Sequence, residues 1–411
     1  EIYYDLKNTS GIQDSNFLYL PPDEVDPEIH FPLRLIFDPP QYRQFLKKMD
    51  DSISAKVDDL YQRFNQARIP IQTFKSDDRA AVAIVFERIN RLGVELDTLQ
   101  LLSAWTWNED FDLLDSFQSL AEELEPFGFK DVGEDSDLLL RCCAAIISHD
   151  ASPAAIISLN GAELRNRFAE VRNGVLGAVD FVKANLRAHS AKSLPFSAAL
   201  IPLSVFFATR SEQGSNPTAK QSKALLIWLW KTFFSRRYSK RLEQLNTDIV
   251  EIKKLKEGMP HNLGDFKAEI DGSFFSDSPF NLNTVNTKTF ILMLANAQPL
   301  SFLSGNFLQL EKVLRDLNKR EFHHLFPQKI LQGKFPSTAI NCLSNFTMIS
   351  RADNNKIGGR QPSEYQKLMP TDHSKILEHA LCPPSLFNDD FKKFVADRSG
   401  LLAVRAKTLM T

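Results

Sequence analysis

The stretch that most limits what this chain can fold into is an uncharged run between Lys192 and Arg210, from Ser193 to Thr209, which mixes large apolar side chains with two prolines and three serines. It falls short of the roughly 20 apolar residues that a bilayer span needs, and the prolines interrupt it. It reads as a buried helix over Leu194–Thr209, one that other helices must cover. No basic start, apolar segment and small-residue cleavage site occur in the order of a secretory leader, so nothing points to export.

A chain of 411 residues is too long for one typical core, and two or three domains are expected. The four cysteines, Cys142, Cys143, Cys342 and Cys382, form no CxxC pair, which argues against a zinc ribbon or a disulfide framework and fits a reducing cytoplasm. The net charge of −2 conceals an uneven distribution. Residues 1–150 carry 14 Lys/Arg against 29 Asp/Glu, residues 151–290 carry 19 against 12, and residues 291–411 carry 16 against 10. The middle and the end suit a polyanion and the beginning would repel one, although solvated surface charge explains the same pattern. The chain opens on Glu1 in a strand-like run, Ile2 to Leu6, as a fragment lacking its true beginning would.

Residues 1–50 read as irregular and strand-bearing, broken by Pro21-Pro22 and Pro39-Pro40. Val82, Val85, Phe86 and Ile89 recur at helical spacing up to Gly93, and Asp97 with Gln100 forms a capping pair for the next helix. The pattern stays helical from Phe111 to Leu194, with a loop expected at Asp131–Asp137. A helix is expected from Ala219 to Tyr238, ending in the basic knot Arg236-Arg237-Tyr238-Ser239-Lys240-Arg241. That knot either answers the helix dipole or touches a nucleic-acid backbone, with Arg237 the candidate contact. Residues 257–290 read as loop, followed by helices over 288–297 and 308–317.

Chemistry concentrates near the end. Within Glu321-Phe322-His323-His324-Leu325-Phe326-Pro327, Phe322 to Phe326 reads as a short strand that ends at Pro327, Asn345-Phe346-Thr347-Met348-Ile349 reads as a second, and Ala352 to Lys356 as a helix or turn stopped by Gly358-Gly359, with another helix from Pro362. Neighbouring side chains on a strand point apart, so His323 and His324 need a twist to address one centre. Two imidazoles and the amide of Asn354 supply a general base near neutral pH and ligands for a divalent ion, which is what phosphodiester hydrolysis requires. Asn354 suits Mg²⁺, while the softer nitrogen of His323 also admits Mn²⁺, Ni²⁺ or Zn²⁺. An adjacent pair satisfied by backbone carbonyls is the bland alternative.

This ordering resembles the His-Asn-His (His-Me finger) nuclease domain of GmrSD-type, modification-dependent type IV restriction enzymes, a group that includes SspE-like proteins. The residues that carry it are His323 to Pro327, Ser344-Asn345-Phe346, Ser350-Arg351, Asn354, Lys356-Ile357 and Pro362 to Tyr365. The resemblance implies a mainly helical protein with a small α+β part, its C-terminal unit a ββα-metal finger. It makes His324 the general base, His323 and Asn354 the ligands of one Mg²⁺ or Mn²⁺, and Asn345 a structural support. Arg351, Lys356, Arg360 and Arg237 are the phosphate-contact candidates. A histidine stands at position 323 where many relatives have a carboxylate, which puts the ion preference in question. Phe86 to Leu96 is similar to the Phe-x-x-x-Asn segment that closes the family's N-terminal domain, with Asn90 read as a turn-stabilising amide. The family's Asp-Gly-Gln-Gln-Arg motif and any Gly-x-x-x-x-Gly-Lys loop are absent, so nucleotide hydrolysis would need a segment outside this chain. The expected division is 1–108, a remnant of the nucleotide or sensor domain; 109–215, a helical connector; and 216–411, helices plus nuclease. The implied partner is modified double-stranded DNA, without a membrane, and a homo-oligomer stays open. A catalytically silent binding module and an RNA-directed nuclease remain as alternatives.

Overall fold

The computed structural model describes residues 1–7, 16–21, 24–68, 71, 73–75, 85, 98–211, 213–239, 242–315 and 322–411. Most of the helix expected over Val82–Ile89, together with Asn90, Gly93, Asp97, Lys240, Arg241 and Glu321, lies outside them. The chain packs as two compact units, Glu1–Lys75 and Ser76–Thr411, where the sequence suggests three parts. The reason is a core that runs unbroken from Leu102 to Met410 and so joins the helices of 109–215 to those of 216–411.

The first unit is a three-stranded antiparallel sheet, β1 (Ile2–Asp5), β2 (Phe17–Tyr19) and β3 (His30–Pro32), in the order β2-β1-β3. Two helices follow, α1 (Pro39–Leu46) and α2 (Asp51–Gln66), capped by the carboxylates of Asp38 and Asp50. Phe31, Tyr42, Val57 and Leu60 close a small core between sheet and helices.

The second unit is mainly helical. It begins with α3 (Thr98–Thr106), α4 (Leu113–Leu124) and α5 (Ser136–Ser148). Where a loop is expected at 131–137, residues Lys130–Glu134 form a short helix instead. The Asp135 carboxylate accepts from the amide of Leu138 and starts α5, so acidic residues that resemble loop in sequence serve as helix starts. Next come α6 (Gly161–Leu186), α7 (Leu200–Phe207), α8 (Ala219–Phe234), α9 (Leu242–Lys256) and α10 (Val285–Asn296).

The uncharged run does become the buried centre, and every residue of α7 is buried. It is shorter than expected, because the chain bends at Leu194-Pro195 between two 3-10 turns, Ala191–Ser193 and Ser197–Ala199, before the helix begins. Helix α6 lies so close that a Cβ added to Gly174 would stand 2.5 Å from the Ser204 carbonyl oxygen. Lys256 Nζ donates to the carbonyls of Val205 and Ala208 and so satisfies the exit from α7. Helix α8 stops at Phe234, short of Tyr238, and residues 235–238 leave it as a turn with Arg236 at φ 53°. Residues 257–290 are not all loop, since they hold the short helix Ser273–Ser276 and the start of α10.

After Leu310–Arg315, which is helical, the chain forms an antiparallel pair, β4 (Phe322–His324) and β5 (Phe346–Met348), in the register Phe322↔Met348, His323↔Thr347, His324↔Phe346. Between them lie two single helical turns, Gln328–Leu331 and Ser337–Ile340. Helix α11 (Arg351–Ile357) follows β5, started by the Ser350 hydroxyl and ended by Gly358 at φ 58° and ψ −147°, a conformation open to glycine. The last long helix, α12 (Phe391–Leu409), is started by Asp390. Phe322, Phe346 and Met348 join the large core, whereas Leu325, Phe326, Ile349 and Ile357 join a second core with Tyr365, Phe391 and Phe394. The strand pair therefore sits where the two cores of this unit meet.

Candidate functional site

The register decides how the two histidines are placed. His324 shares a face of the pair with Phe322, Phe346 and Met348, while His323 shares the other face with Thr347. Both histidines are half-buried. They are adjacent in the chain and divided by the pleat, so a shared task must be split between them.

Around His324 the surroundings are well defined. Its ring lies 4.2 Å from that of Phe346 at 42°, and Phe346 in turn stacks on Phe280 at 4.1 Å and 13°. Its Nε2 is 2.9 Å from Asn341 Oδ1. The segment after His324 is fixed by Asn345, which is fully buried. The Asn345 side-chain oxygen accepts from the amide of Phe326 at 2.9 Å, its Nδ2 donates to the carbonyls of Phe326 and Ile340, and its backbone oxygen accepts from the amide of Leu325. Removing that amide would orphan several buried polar groups at once.

Beneath β5 lies a group the sequence reading missed. Arg398, fully buried in α12, donates Nη1 to the carbonyls of Ser344 and Phe346, Nε to Leu381 and Nη2 to Ala380. Burial pushes this guanidinium below its ordinary value. The hydroxyls of Ser344 and Ser399 meet beside it at 2.7 Å. Nothing in the pattern Val395 to Gly400 distinguishes Arg398 from a surface arginine, because its partners are carbonyls about fifty and about seventeen residues away in the chain.

Asn354 is half-buried on α11, and Asn355 and Lys356 are exposed. The neighbouring Asp353 is buried and its carboxylate accepts from the amide of Phe302 at 2.9 Å. Arg351 is exposed at the first turn of α11. Arg360 is exposed, and its Nη1 donates to the carbonyls of Lys356 and Ile357, closing the end of that helix. Arg237 stands in different surroundings from all of these. It grips the buried Asp248 with Nε and Nη2 at 2.9 Å each, beside Trp228 Nε1 and Tyr238 OH, and stacks on Phe266 at 4.0 Å. This gives Arg237 a structural task, since both donors are committed to a carboxylate it helps to bury.

The donor set limits the ion that could be held. Among the described residues no three His, Cys, Asp or Glu side chains gather as a cage. An imidazole nitrogen and an amide oxygen, as expected of His323 and Asn354, would leave the other positions of an ion to water and substrate phosphate. The nitrogen makes Mn²⁺ at least as suitable as Mg²⁺.

No family model matches the chain. It is similar to a protein described as uncharacterized protein MJ0686 of Methanocaldococcus jannaschii, 23% identical over 320 residues that cover 72% of this chain and 51% of that protein. The chain thus spans about half the length of this relative. No helix among the described residues is long and apolar enough to cross a membrane.

Proposed function

We propose that this chain is a metal-dependent DNA endonuclease of a modification-dependent defence system, its strand pair and α11 forming a ββα-metal finger. One observation carries the reading: an imidazole, His324, is held at the end of a strand by an amide and an aromatic ring, on an antiparallel pair followed directly by a helix that bears Asn354. In this reading His324 takes the proton from the attacking water, and His323 and Asn354 hold one divalent ion. That ion, when bound, supplies Lewis-acid stabilisation of the charge developing on the departing oxygen. Asn345 keeps the residues after His324 in place, and Arg351 and Lys356 are free to meet phosphates from the exposed side of α11. Arg360 would do so while closing the helix. The choice among DNA modifications, any nucleotide requirement, a homo-oligomer and a cytoplasmic location belong to the same proposal.

A second reading, a binding module that no longer cuts, is favoured by the histidine at position 323, where many members of the family resembled have a carboxylate. Both are tested by incubating phosphorothioated, glucosylated and plain plasmid DNA, and RNA, with the protein in Mg²⁺ or Mn²⁺. Cleavage of DNA that disappears in EDTA, and falls on the order of a hundredfold or more in His324→Ala, is expected for the nuclease. Binding without cleavage in either ion selects the silent module, and preference for RNA selects an RNA-directed enzyme. Unchanged cleavage by His324→Ala removes the base from the proposal.

A further inference from the structure

The crossover from β4 to β5 presents an aromatic ring in a defined place. After the first of its two helical turns Gly333 adopts φ 78°, and the amides of Lys334 and Phe335 both donate to the Leu331 carbonyl, at 3.0 and 3.1 Å. Pro336 has its φ fixed by its own ring, so Phe335 stands on a short and well-determined loop. The Phe335 ring is half-buried and meets the buried Phe391 at 4.9 Å and 67°. Phe391 in turn meets Phe326, just beyond β4, at 5.5 Å and 63°. These three rings, with Ile330 and Leu331, make the apolar lining of a cavity of about 360 Å³, which Lys334 and Lys392 also line. That volume lies toward the small end of cavities that take organic ligands. Both lysines are exposed, and neither forms an ion pair with a described residue. Lys392 Nζ lies 5.9 Å from the centre of the Phe335 ring. The cavity's two carboxylates have other tasks: Asp389 accepts from the amide and hydroxyl of Ser363, at 3.1 and 2.5 Å, and Asp390 accepts from the Lys393 amide at the start of α12, at 3.1 Å.

We propose that this cavity takes one unpaired base of a DNA strand, stacked on Phe335, with Lys334 and Lys392 on the flanking phosphates. An apolar cavity alone would accept any small apolar body. An aromatic face with two uncommitted ammonium groups beside it selects a flat ring joined to an anion, and every nucleotide is one. Every base has a π face, so such a platform tolerates sequence while it rejects a base that stays paired inside a duplex. Lys392, now over the ring, moves to a phosphate when a base takes its place. The proposal deepens the nuclease reading and rests on it for its meaning: the preferred substrate becomes DNA with a nucleotide free of the duplex, held by the loop that joins β4 to β5. Binding at the cavity does not itself depend on cleavage.

Binding measured on the full chain in EDTA, where no strand is cut, tests this. The probes are a fluorescein-labelled duplex, the same duplex carrying one bulged 2-aminopurine, and the 2-aminopurine strand alone. The bulged and single-stranded probes are expected to bind on the order of tenfold or more tightly than the perfect duplex, and 2-aminopurine emission to fall at saturation as the base stacks. Phe335→Leu is expected to abolish both the preference and the quenching while affinity for the perfect duplex stays unchanged, and Phe335→Tyr to keep both. Lys334→Gln and Lys392→Gln should each weaken binding of the bulged probe and lower its salt slope by roughly 0.7–1. Equal affinity of wild type and Phe335→Leu for the bulged probe overturns the proposal, and so does 2-aminopurine emission that does not change at saturation. Should Phe335→Leu fail to fold, the lysine variants decide, and salt slopes equal to that of wild type overturn it. Failure of the nuclease reading is separable: preference and quenching without cleavage in Mg²⁺ or Mn²⁺ remove the nuclease and keep the base site, whereas cleavage without quenching removes the base site alone.

Discussion

At the scale of single residues, the most consequential feature is a cation where none was expected. Arg398 pairs with no carboxylate among the described residues; it collects four carbonyls, those of Ser344, Phe346, Ala380 and Leu381, the first two just before and at the start of β5. Its removal leaves those oxygens buried without a donor, and hydrogen bonds to a charged group count for more than neutral ones. Arg398→Met is therefore expected to destabilise the second unit by on the order of 3 kcal/mol or more, read from urea denaturation. Arg398→Lys should recover only part of that, because one ammonium cannot span the same fork. Equal stability of Arg398→Met and wild type would show that water or a backbone shift satisfies the carbonyls instead.

Elements carry the next lesson, which concerns close approach. Gly174 lets α6 touch the backbone of α7, and a methyl at 174 meets the Ser204 carbonyl oxygen at 2.5 Å, an atom that cannot swing aside. Gly174→Ala is expected to cost about 1–3 kcal/mol through overpacking, in spite of alanine's better helix propensity. Gly400→Ala makes the same change in α12 with no neighbouring atom within 4 Å, and is expected to be neutral or stabilising by up to about 1 kcal/mol. Thermal melts of the two variants side by side separate packing from propensity, and equal shifts would refute the close-approach argument. The same contrast explains what could be read from sequence. The buried centre was legible at Leu200–Phe207 because an uncharged run bounded by charges has few other fates. The strand pair and α11 were legible in place, to within one or two residues at each end, from Pro327, the Asn-led apolar run and Gly358. The acidic segment 130–137 was misread because a capping aspartate and a loop aspartate look alike before their amide partner is known. Asn341 and Arg398 were invisible for a related reason: their roles depend on backbone atoms brought near by folding, and a lone asparagine or arginine carries no periodicity.

For the whole molecule, the ionisation of two histidines distant in sequence from the proposed site sets a measurable dependence of stability on pH. His149 ends α5 in a left-handed conformation, φ 60°, and accepts Lys253 Nζ at Nε2, 2.8 Å away. Burial, and then the lysine, hold its pKa below the ordinary imidazole value, with Arg167 acting in the same direction and Glu257 against it. His189 is likewise lowered by burial first and Lys183 next, with Arg187 adding to the shift and Glu311 opposing it. An imidazole depressed in the folded state binds fewer protons there than in the unfolded chain, so stability rises with pH between the two values. The contribution of both rings is thus fully present above about pH 6.5 and is lost as the pH falls through their folded values. Protonated His149 would also face the Lys253 ammonium, turning a hydrogen bond into a repulsion. Urea midpoints measured between about pH 7.5 and 5.5, above the range where most carboxylates titrate, are expected to fall for the wild type. They should fall less steeply in His149→Gln and His189→Gln and least in the double variant, since an amide can meet Lys253 without changing charge. A slope in the double variant equal to that of wild type would place the acid sensitivity of the fold elsewhere.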